Sequence, residues 1–459
     1  MAALNALGRH LALVGFMGAG KSTLVAPVAG RLGRLGRDLD VDAARLIEAH
    51  GIEGFRRIEV SVVREALDRR EPDVYALGGG AVTSEEVRDA LAAGAFTVLL
   101  DVDVDAAWER SRGTDRPLAR DEASFRQLYE ERQPAYRAAA DAVAQDEDGV
   151  VLAAAGIHHE LGALERLGEL VPGDGPVALV ADSTVMGIHG PRAQEALGER
   201  LVSTHALPPG EQAKQVAVVQ RLWSELSLDR GGTVVALGGG ALTDTAGFAA
   251  ATYLRGVPWV PVPTTLVGQV DAGIGGKTAV DIPEGKNLAG SFHWPALVVI
   301  DEALLATLPE RELRQGRAEL VKTELLAGRE LDVRGTAAYK AALCLRDPHD
   351  RGVRQWLNLG HTFAHALEAA AGFELAHGDA VALGLLAALR LSGRDTARVE
   401  AELDPQPVAV DRDRAWEALL RDKKRAGGDI NLVLLGDEGP RVEARPADEV
   451  RAALYTLLA

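Results

Sequence analysis

Two groups of residues in this chain have types and spacings that could do chemistry. The first is Gly15-Phe16-Met17-Gly18-Ala19-Gly20-Lys21-Ser22, which satisfies Gly-x-x-x-x-Gly-Lys-Ser/Thr without a mismatch and runs on into Thr23. Glycines so placed let successive backbone N–H groups converge on phosphate oxygens, and the start of a following helix adds positive potential. Lys21 can then reach the terminal phosphates and the Ser22 hydroxyl can hold Mg²⁺. That is equipment for gripping a nucleotide. The second group is Glu319 and Lys322, three residues apart on one helical face, with His361, His365 and His377 further on. A carboxylate with histidines suits a divalent metal such as Zn²⁺, held by three protein ligands with one position left for substrate. His361 and His365 are four apart and face the same way, so spacing alone leaves open whether both are ligands. A His-Glu-x-x-His protease centre is excluded, because Thr362 stands where its general base must be.

Between these groups, Arg255, Asp271, Lys277, Lys286 and Asn287 fall in a stretch (YLRG, then GQVDAGIGGKTAVDIPEGKNLAGSFHWP) too rich in glycine for a packed helix. A loop is expected there, folding cationic and acidic groups around a small polyanion. One phrase occurs twice, as ALGGGAVTS from Ala76 and ALGGGALTD from Ala236. Nothing else in the two halves matches at that offset, so we read two separate strand-to-glycine junctions rather than a duplication. Each is a place where backbone approaches a ligand or a helix closely. The second junction, Gly238-Gly239-Gly240 with Thr243-Asp244 and then Thr264-Thr265, lies where dinucleotide pyrophosphates bind in parallel sheets, although it lacks the Gly-x-Gly-x-x-Gly spacing.

Elements must position these groups. LALVG (11–15), VYAL (74–77) and FTVLL (96–100) are apolar runs separated by polar helical stretches, which predicts a parallel α/β domain. Pro27 falls inside the first predicted helix and would remove a backbone donor there. The VPGDGP cluster (171–176) breaks the pattern. VALVAD (177–182), TVVAL (233–237), PWVPVP (258–263) and LVVI (297–300) then restart an α/β scheme. After Leu320, Ala, Leu, Glu and Arg dominate to about residue 425, which predicts a helical domain. NLVLL (431–435) is a last short strand before a terminal helix. The expected domains are 1–170, 176–320 and 321–459. At 459 residues, with 47% hydrophobic and 25% charged side chains, several packed units are expected. A formal charge of −17 argues against nucleic acid as a partner. Cys344 is the only cysteine, so no intrachain disulfide is available and a reducing cytoplasm is the expected compartment. No signal peptide and no membrane span is expected, since no apolar run approaches about 18 residues.

GFMGAGKST, acidic Asp38-x-Asp40, Phe55-Arg56-x-x-Glu59, Gly78-Gly79-Gly80, Arg116-Pro117-Leu118 and Arg132 before Tyr136 resemble shikimate kinase in order and spacing, over roughly residues 8–165. The resemblance implies Mg²⁺-ATP held by Gly18, Ala19, Gly20, Lys21, Ser22 and Thr23. It implies shikimate bound through Arg56, Arg132 and the Gly78–Gly80 backbone, Asp40 orienting the attacking hydroxyl, and Arg116 closing over the phosphates. Asp40-x-Asp42 is a second register for the acidic pair. The stretch between Gly51 and Phe55 is shorter than the family pattern.

GGGALTDTAGF, YLRG, PTTL, DAGIGGKTAV, GKN, AELVK, LNLGHTFAHALE, HGDAVALG and DKK closely resemble 3-dehydroquinate synthase, over roughly residues 176–459. This implies an NAD-binding α/β domain followed by an all-helical metal-binding domain, with Zn²⁺ or Co²⁺ on Glu319, His361 and His377. NAD would contact Asp182, Glu211, Lys214, Gly238, Gly239, Gly240, Asp244, Thr264, Thr265, Lys277 and Lys286. Substrate would meet Arg255, Asp271, Lys277, Asn287, Lys322, Lys340, Arg354, Asn358 and His365, with Lys423 or Lys424 completing a phosphate pocket. Asp271, Lys277, Lys322 and His365 carry the catalytic roles. The family reaction withdraws hydride from C5 of 3-deoxy-arabino-heptulosonate 7-phosphate, eliminates phosphate, returns the hydride and closes the ring to 3-dehydroquinate. The resemblances thus imply a bifunctional enzyme of small-molecule substrates, with a homodimer through the synthase half as its expected assembly. Rival readings are another sugar-phosphate cyclase, a polyol dehydrogenase, which would accumulate NADH, and a first half that only binds nucleotide.

Overall fold

The computed structural model describes residues 5–40, 43–113, 121–422 and 429–459. It divides into two compact units, Met1–His158 and His159–Ala459. In the first, β1 (His10–Val14), β2 (Gly36–Asp38), β3 (Val74–Ala76), β4 (Ala95–Leu100) and β5 (Ala142–Ala144) form one parallel sheet in the order β2-β3-β1-β4-β5. β1, β3 and β4 are buried along their whole length, as their unbroken apolar runs require of a sheet covered on both faces. The covering helices are α1 (Lys21–Leu32), α2 (Ala43–Leu67), α3 (Glu85–Gly94), α4 (Val104–Ser111), α5 (Glu122–Ala139) and α6 (Glu147–Ala155). α1 runs through Pro27, and α2 breaks at Gly51, whose φ of 67 and ψ of 173 are not helical.

After a short strand β6 (Ile157–His159) and helix α7 (Leu167–Leu170), the second unit opens with β7 (Val177–Asp182) and α8 (Ser183–Leu197). β8 (Leu201–Leu207), α9 (Val216–Glu225), β9 (Thr233–Gly238), α10 (Gly240–Thr252) and β10 (Trp259–Pro263) complete a parallel sheet in the order β10-β9-β7-β8. β8 has no apolar run: its side chains are half-exposed, and edge pairing with β7 holds it. The glycine-rich stretch expected as a loop is instead a π-turn, Gly268–Ala272, and then the antiparallel hairpin β11 (Lys277–Ile282) and β12 (Gly285–Phe292). Cross-strand pairing overrides weak strand propensity there.

β13 (Val298–Ile300) leads to the helices α11 (Glu310–Ala327), α12 (Val333–Arg346), α13 (His361–Ala370), α14 (His377–Leu391), α15 (Ala397–Leu403) and α16 (Arg412–Asp422). Helical structure therefore begins ahead of Leu320, at Glu310. The strand expected at 431–435 is β14 (Asp429–Gly436), and it pairs with β15 (Gly439–Pro446), a partner hidden in the sequence by its alternating charges, before α17 (Ala447–Tyr455). α13 and α14 are buried on most faces and form the centre of this half's core. Among the described residues, no helix is long and apolar enough to cross a membrane.

Candidate active sites

In the first unit, Gly20 caps α1 in the left-handed region (φ 94), which turns the chain from the loop into the helix and leaves Ser22 and Thr23 exposed in its first turn. Lys21 is buried; its Nζ donates to the carbonyls of Gly15 (2.7 Å) and Phe16 (3.0 Å), so the ammonium is held against the loop. Asp40 follows β2 and Gly78–Gly80 follow β3; a Cβ on Gly78 would meet Asp40 Oδ1 at 2.9 Å and one on Gly79 the Met17 nitrogen of the loop at 3.5 Å. Arg56 from α2 donates to the Gly80 carbonyl (3.2 Å) and Arg132 from α5 to the Gly79 carbonyl (3.0 Å). Two guanidiniums over one glycine turn are matched to a planar carboxylate. Arg116 and Asp42 lie outside the described residues.

In the second unit, the carboxyl ends of β7, β9 and β10 border a cavity of about 610 Å³. Of the residues expected around a dinucleotide, Asp182, Glu211, Lys214, Gly239, Gly240, Asp244, Thr264 and Thr265 line it. Gly238, Lys277 and Lys286 do not. Gly238 lies behind Asp182; Lys277 pairs with Asp350, and Lys286 with Glu211 (3.5 Å) while sitting over the Phe373 ring. Asp182 caps α8, accepting from the Thr184 and Val185 N–H groups (3.0 Å each). Lys214 joins Asp244 (2.6 Å) and Asn287, and burial raises the Asp244 carboxyl despite that lysine. The buried Thr264 hydroxyl has no hydrogen-bond partner, which suits a wall awaiting a polar ligand.

His377 also lines this cavity. There Glu319 from α11 meets His361 and His377, the first residues of α13 and α14, with Nε2 atoms 3.4 and 3.1 Å from Glu319 Oε1. One ligand atom from each lies within 4.8 Å of the others. The His361 Nδ1 faces the Leu359 carbonyl (3.2 Å), a bond in which Nδ1 donates and Nε2 is left for an ion. His377 Nδ1 meets Glu368 (3.1 Å). Burial opposes protonation of His377, but Glu319 and Glu368 outweigh it and push its pKa up to about 10. One carboxylate and two imidazoles with ligand atoms this close together fit a divalent cation.

Beside this triad, Asp271 on the π-turn accepts from Lys340 (2.6 Å) and lies 4.0 Å from Lys322, which also pairs with Glu319. Burial alone would raise the Asp271 carboxyl; Lys340 and Lys322 hold it below its usual value. Arg354 is buried with its Nε unpartnered, Asn358 is half-buried, and His365 is exposed with its ring 5.5 Å from that of His361. Asn287 and Arg255 have left-handed backbones (φ 57 and 69), and Arg255 is exposed. Lys423 and Lys424 lie outside the described residues.

Family models described as 3-dehydroquinate synthase N-terminal and C-terminal match residues 204–315 and 298–425, and a shikimate kinase model matches residues 17–157. A curated 3-dehydroquinate synthase from Symbiobacterium thermophilum is 40% identical over 320 residues, covering 61% of this chain and 89% of the relative. The chain belongs to the 3-dehydroquinate synthase family. Its amino-terminal part is a shikimate kinase domain. A solved 2-epi-5-epi-valiolone synthase from Streptomyces hygroscopicus with NAD⁺ and Zn²⁺ bound is 27% identical, with a TM-score of 0.55 over 66% of this chain and 96% of its own. A solved 2-deoxy-scyllo-inosose synthase, at 24% identity and a TM-score of 0.60 over 65% of this chain and 95% of its own, shares the fold.

Several residues at the centres of this synthase and its kinase domain have roles that were not assigned from sequence, with Glu59 and Tyr136 read only as parts of a motif. Glu368 lies seven residues after His361 on one helix face, a spacing that could have found it. Glu59 backs Arg56 at 2.6 Å, and burial raises its carboxyl more than Arg56 lowers it. Tyr136 donates to the Gly79 carbonyl (2.5 Å), and burial pushes its phenol up to about 12. Asp350, the partner of Lys277, carries no sequence signal at all.

Proposed function

We propose that the chain carries out two reactions at separate centres. The first unit phosphorylates shikimate to shikimate 3-phosphate with ATP. The second converts 3-deoxy-D-arabino-heptulosonate 7-phosphate to 3-dehydroquinate with release of phosphate. The observation that carries this reading is one cavity lined both by the Gly239–Gly240 junction and by His377, a member of the Glu319–His361–His377 triad, which would bring a dinucleotide and a metal close together.

In the kinase, the loop from Gly18 to Thr23 cradles Mg²⁺-ATP, with Lys21 turning from its own carbonyls to the phosphates. Arg56 and Arg132 hold the acceptor's carboxylate over Gly78–Gly80. Asp40 orients the acceptor hydroxyl, and Arg116 closes over the phosphates. Positioning and charge neutralisation are most of what phosphoryl transfer needs.

In the synthase, bound NAD would take up and return a hydride while Zn²⁺ or Co²⁺ on Glu319, His361 and His377 polarises the oxygen under oxidation. Asp182, Glu211, Lys214, Asp244, Thr264 and Thr265 orient the dinucleotide. Lys340 and Lys322 fix the Asp271 carboxylate at the triad, so it stays ionised and able to accept a hydrogen bond from substrate. Arg354, Asn358, Lys277, Asn287 and Arg255 supply donors for substrate carboxylate and phosphate, with His365 and Lys423 or Lys424 at the phosphate end. We assign cytoplasmic small-molecule chemistry, with a homodimer formed through the synthase half. The test is an assay of the whole chain with the heptulosonate phosphate and catalytic NAD⁺, following phosphate and 3-dehydroquinate, and separately with shikimate and ATP. Stoichiometric NADH without phosphate release would identify a dehydrogenase instead.

A further inference from the structure

Helix α14 begins with His377, yet the residue before it, Ala376, has no side chain that can cap it. A helix start leaves its first N–H groups unsatisfied, and an N-cap oxygen normally accepts from the second or third helical residue. Here the second helical residue, Gly378, donates to Oε1 of Gln315 on α11, at 2.5 Å. Gln315 is buried, 7% exposed, and stands one turn before Glu319 on the same helix. Gly378 makes the approach possible: a Cβ there would lie 2.5 Å from Cα of Gln315.

We propose that Gln315 is the missing cap of α14, supplied from α11, and that it is a positioning residue for the metal centre. It ties the first turn of the helix that presents His377 to the helix that presents Glu319, so one side chain pins the separation of two ligands that helix packing brings together. Glu368 orients the His377 ring from Nδ1; Gln315 holds its backbone. The positioning role rests on the proposed metal centre, but the cap itself does not.

Two measurements separate them. Amide exchange at Gly378 in chelator-stripped protein reports the cap, and competition with a chromophoric chelator reports Zn²⁺ affinity. In Gln315→Met, Gly378 should exchange about 10-fold faster or more, the loss expected for a removed cap. Zn²⁺ affinity should fall about 10-fold or more, as when an outer-shell partner is lost. Adding Ala376→Ser, which places an acceptor at the ordinary N-cap position, should restore slow Gly378 exchange but not Zn²⁺ affinity, because a local cap does not tie α14 to α11, and it carries the Zn²⁺ test if Gln315→Met alone does not fold. Exchange and Zn²⁺ affinity unchanged in Gln315→Met, or full recovery of Zn²⁺ affinity by the local cap alone, would overturn the proposal. A wild-type protein that takes up no Zn²⁺ while Gly378 exchange still depends on Gln315 would sink the metal reading and leave the cap standing.

Discussion

The phrase ALGGG is used twice in this molecule, to opposite ends. At Gly78–Gly80 the chain leaves β3 for a short 3-10 turn, Ala81–Thr83, and it is the carbonyls of Gly79 and Gly80 that work, accepting from Arg132, Tyr136 and Arg56. At Gly238–Gly240 the chain passes from β9 directly into α10, and the helix start faces the cavity. Both junctions have an aspartate against the first glycine: a Cβ on Gly78 would lie 2.9 Å from Asp40 Oδ1, and one on Gly238 3.1 Å from Asp182 Oδ2. The residues after the glycines decide the use. Val82-Thr83-Ser84 delays helix α3 until Glu85, whereas Ala241-Leu242 continues a helix at once. On the proposed reading, one junction gathers cations for a carboxylate and the other offers N–H groups to a pyrophosphate.

This contrast can be broken most completely at the two centres. His377→Ala should abolish metal uptake and cyclisation together while shikimate phosphorylation persists, which metal analysis and paired assays would read. Lys21→Ala should do the reverse, lowering phosphorylation about 10²- to 10³-fold, the range for losing one pre-organised charge donor, with cyclisation intact. Loss of both activities in either variant would contradict separate centres.

Finer substitutions sharpen the comparison. Gly78→Ala should displace the Asp40 carboxylate and cost about 10²-fold in kinase kcat, the effect of a small misplacement at a reacting group. Gly79→Ala should be near neutral, since its nearest neighbour, the Met17 nitrogen, would lie 3.5 Å from the new Cβ. Equal kcat in the two variants would remove Asp40 from its role.

Each centre also has a carboxylate behind its binding group, half-buried Glu368 behind His377 and buried Glu59 behind Arg56. Glu368→Gln should weaken Zn²⁺ binding about 10-fold, read by chelator competition. The smallest effect is expected at Glu59, whose carboxyl burial raises. With the folded pKa above the unfolded one, the folded state binds more protons between the two values, so stability declines as pH rises through that window. The window opens at the usual glutamate value of about 4.3. Melting curves of Glu59→Gln should lack this decline, and identical slopes in the two proteins would reject the shift.

Local patterns alone determined much. The Gly-x-x-x-x-Gly-Lys-Ser run, the apolar runs of β1, β3, β4, β7, β9 and β10, and the glycine junctions are legible because their chemistry is contained in neighbouring residues. The two ALGGG phrases were separable from a duplication, but not from each other in use. Tertiary structure decided the rest. Glu319, His361 and His377 span 58 positions and meet only because α11, α13 and α14 pack together. The β11–β12 hairpin and the β15 strand exist through cross-strand pairing, which no local propensity encodes. Gln315, Glu368 and Asp350 gain their places because a buried helix start, an imidazole and a lysine each needed a partner, and only packing determines which side chain is near enough to serve.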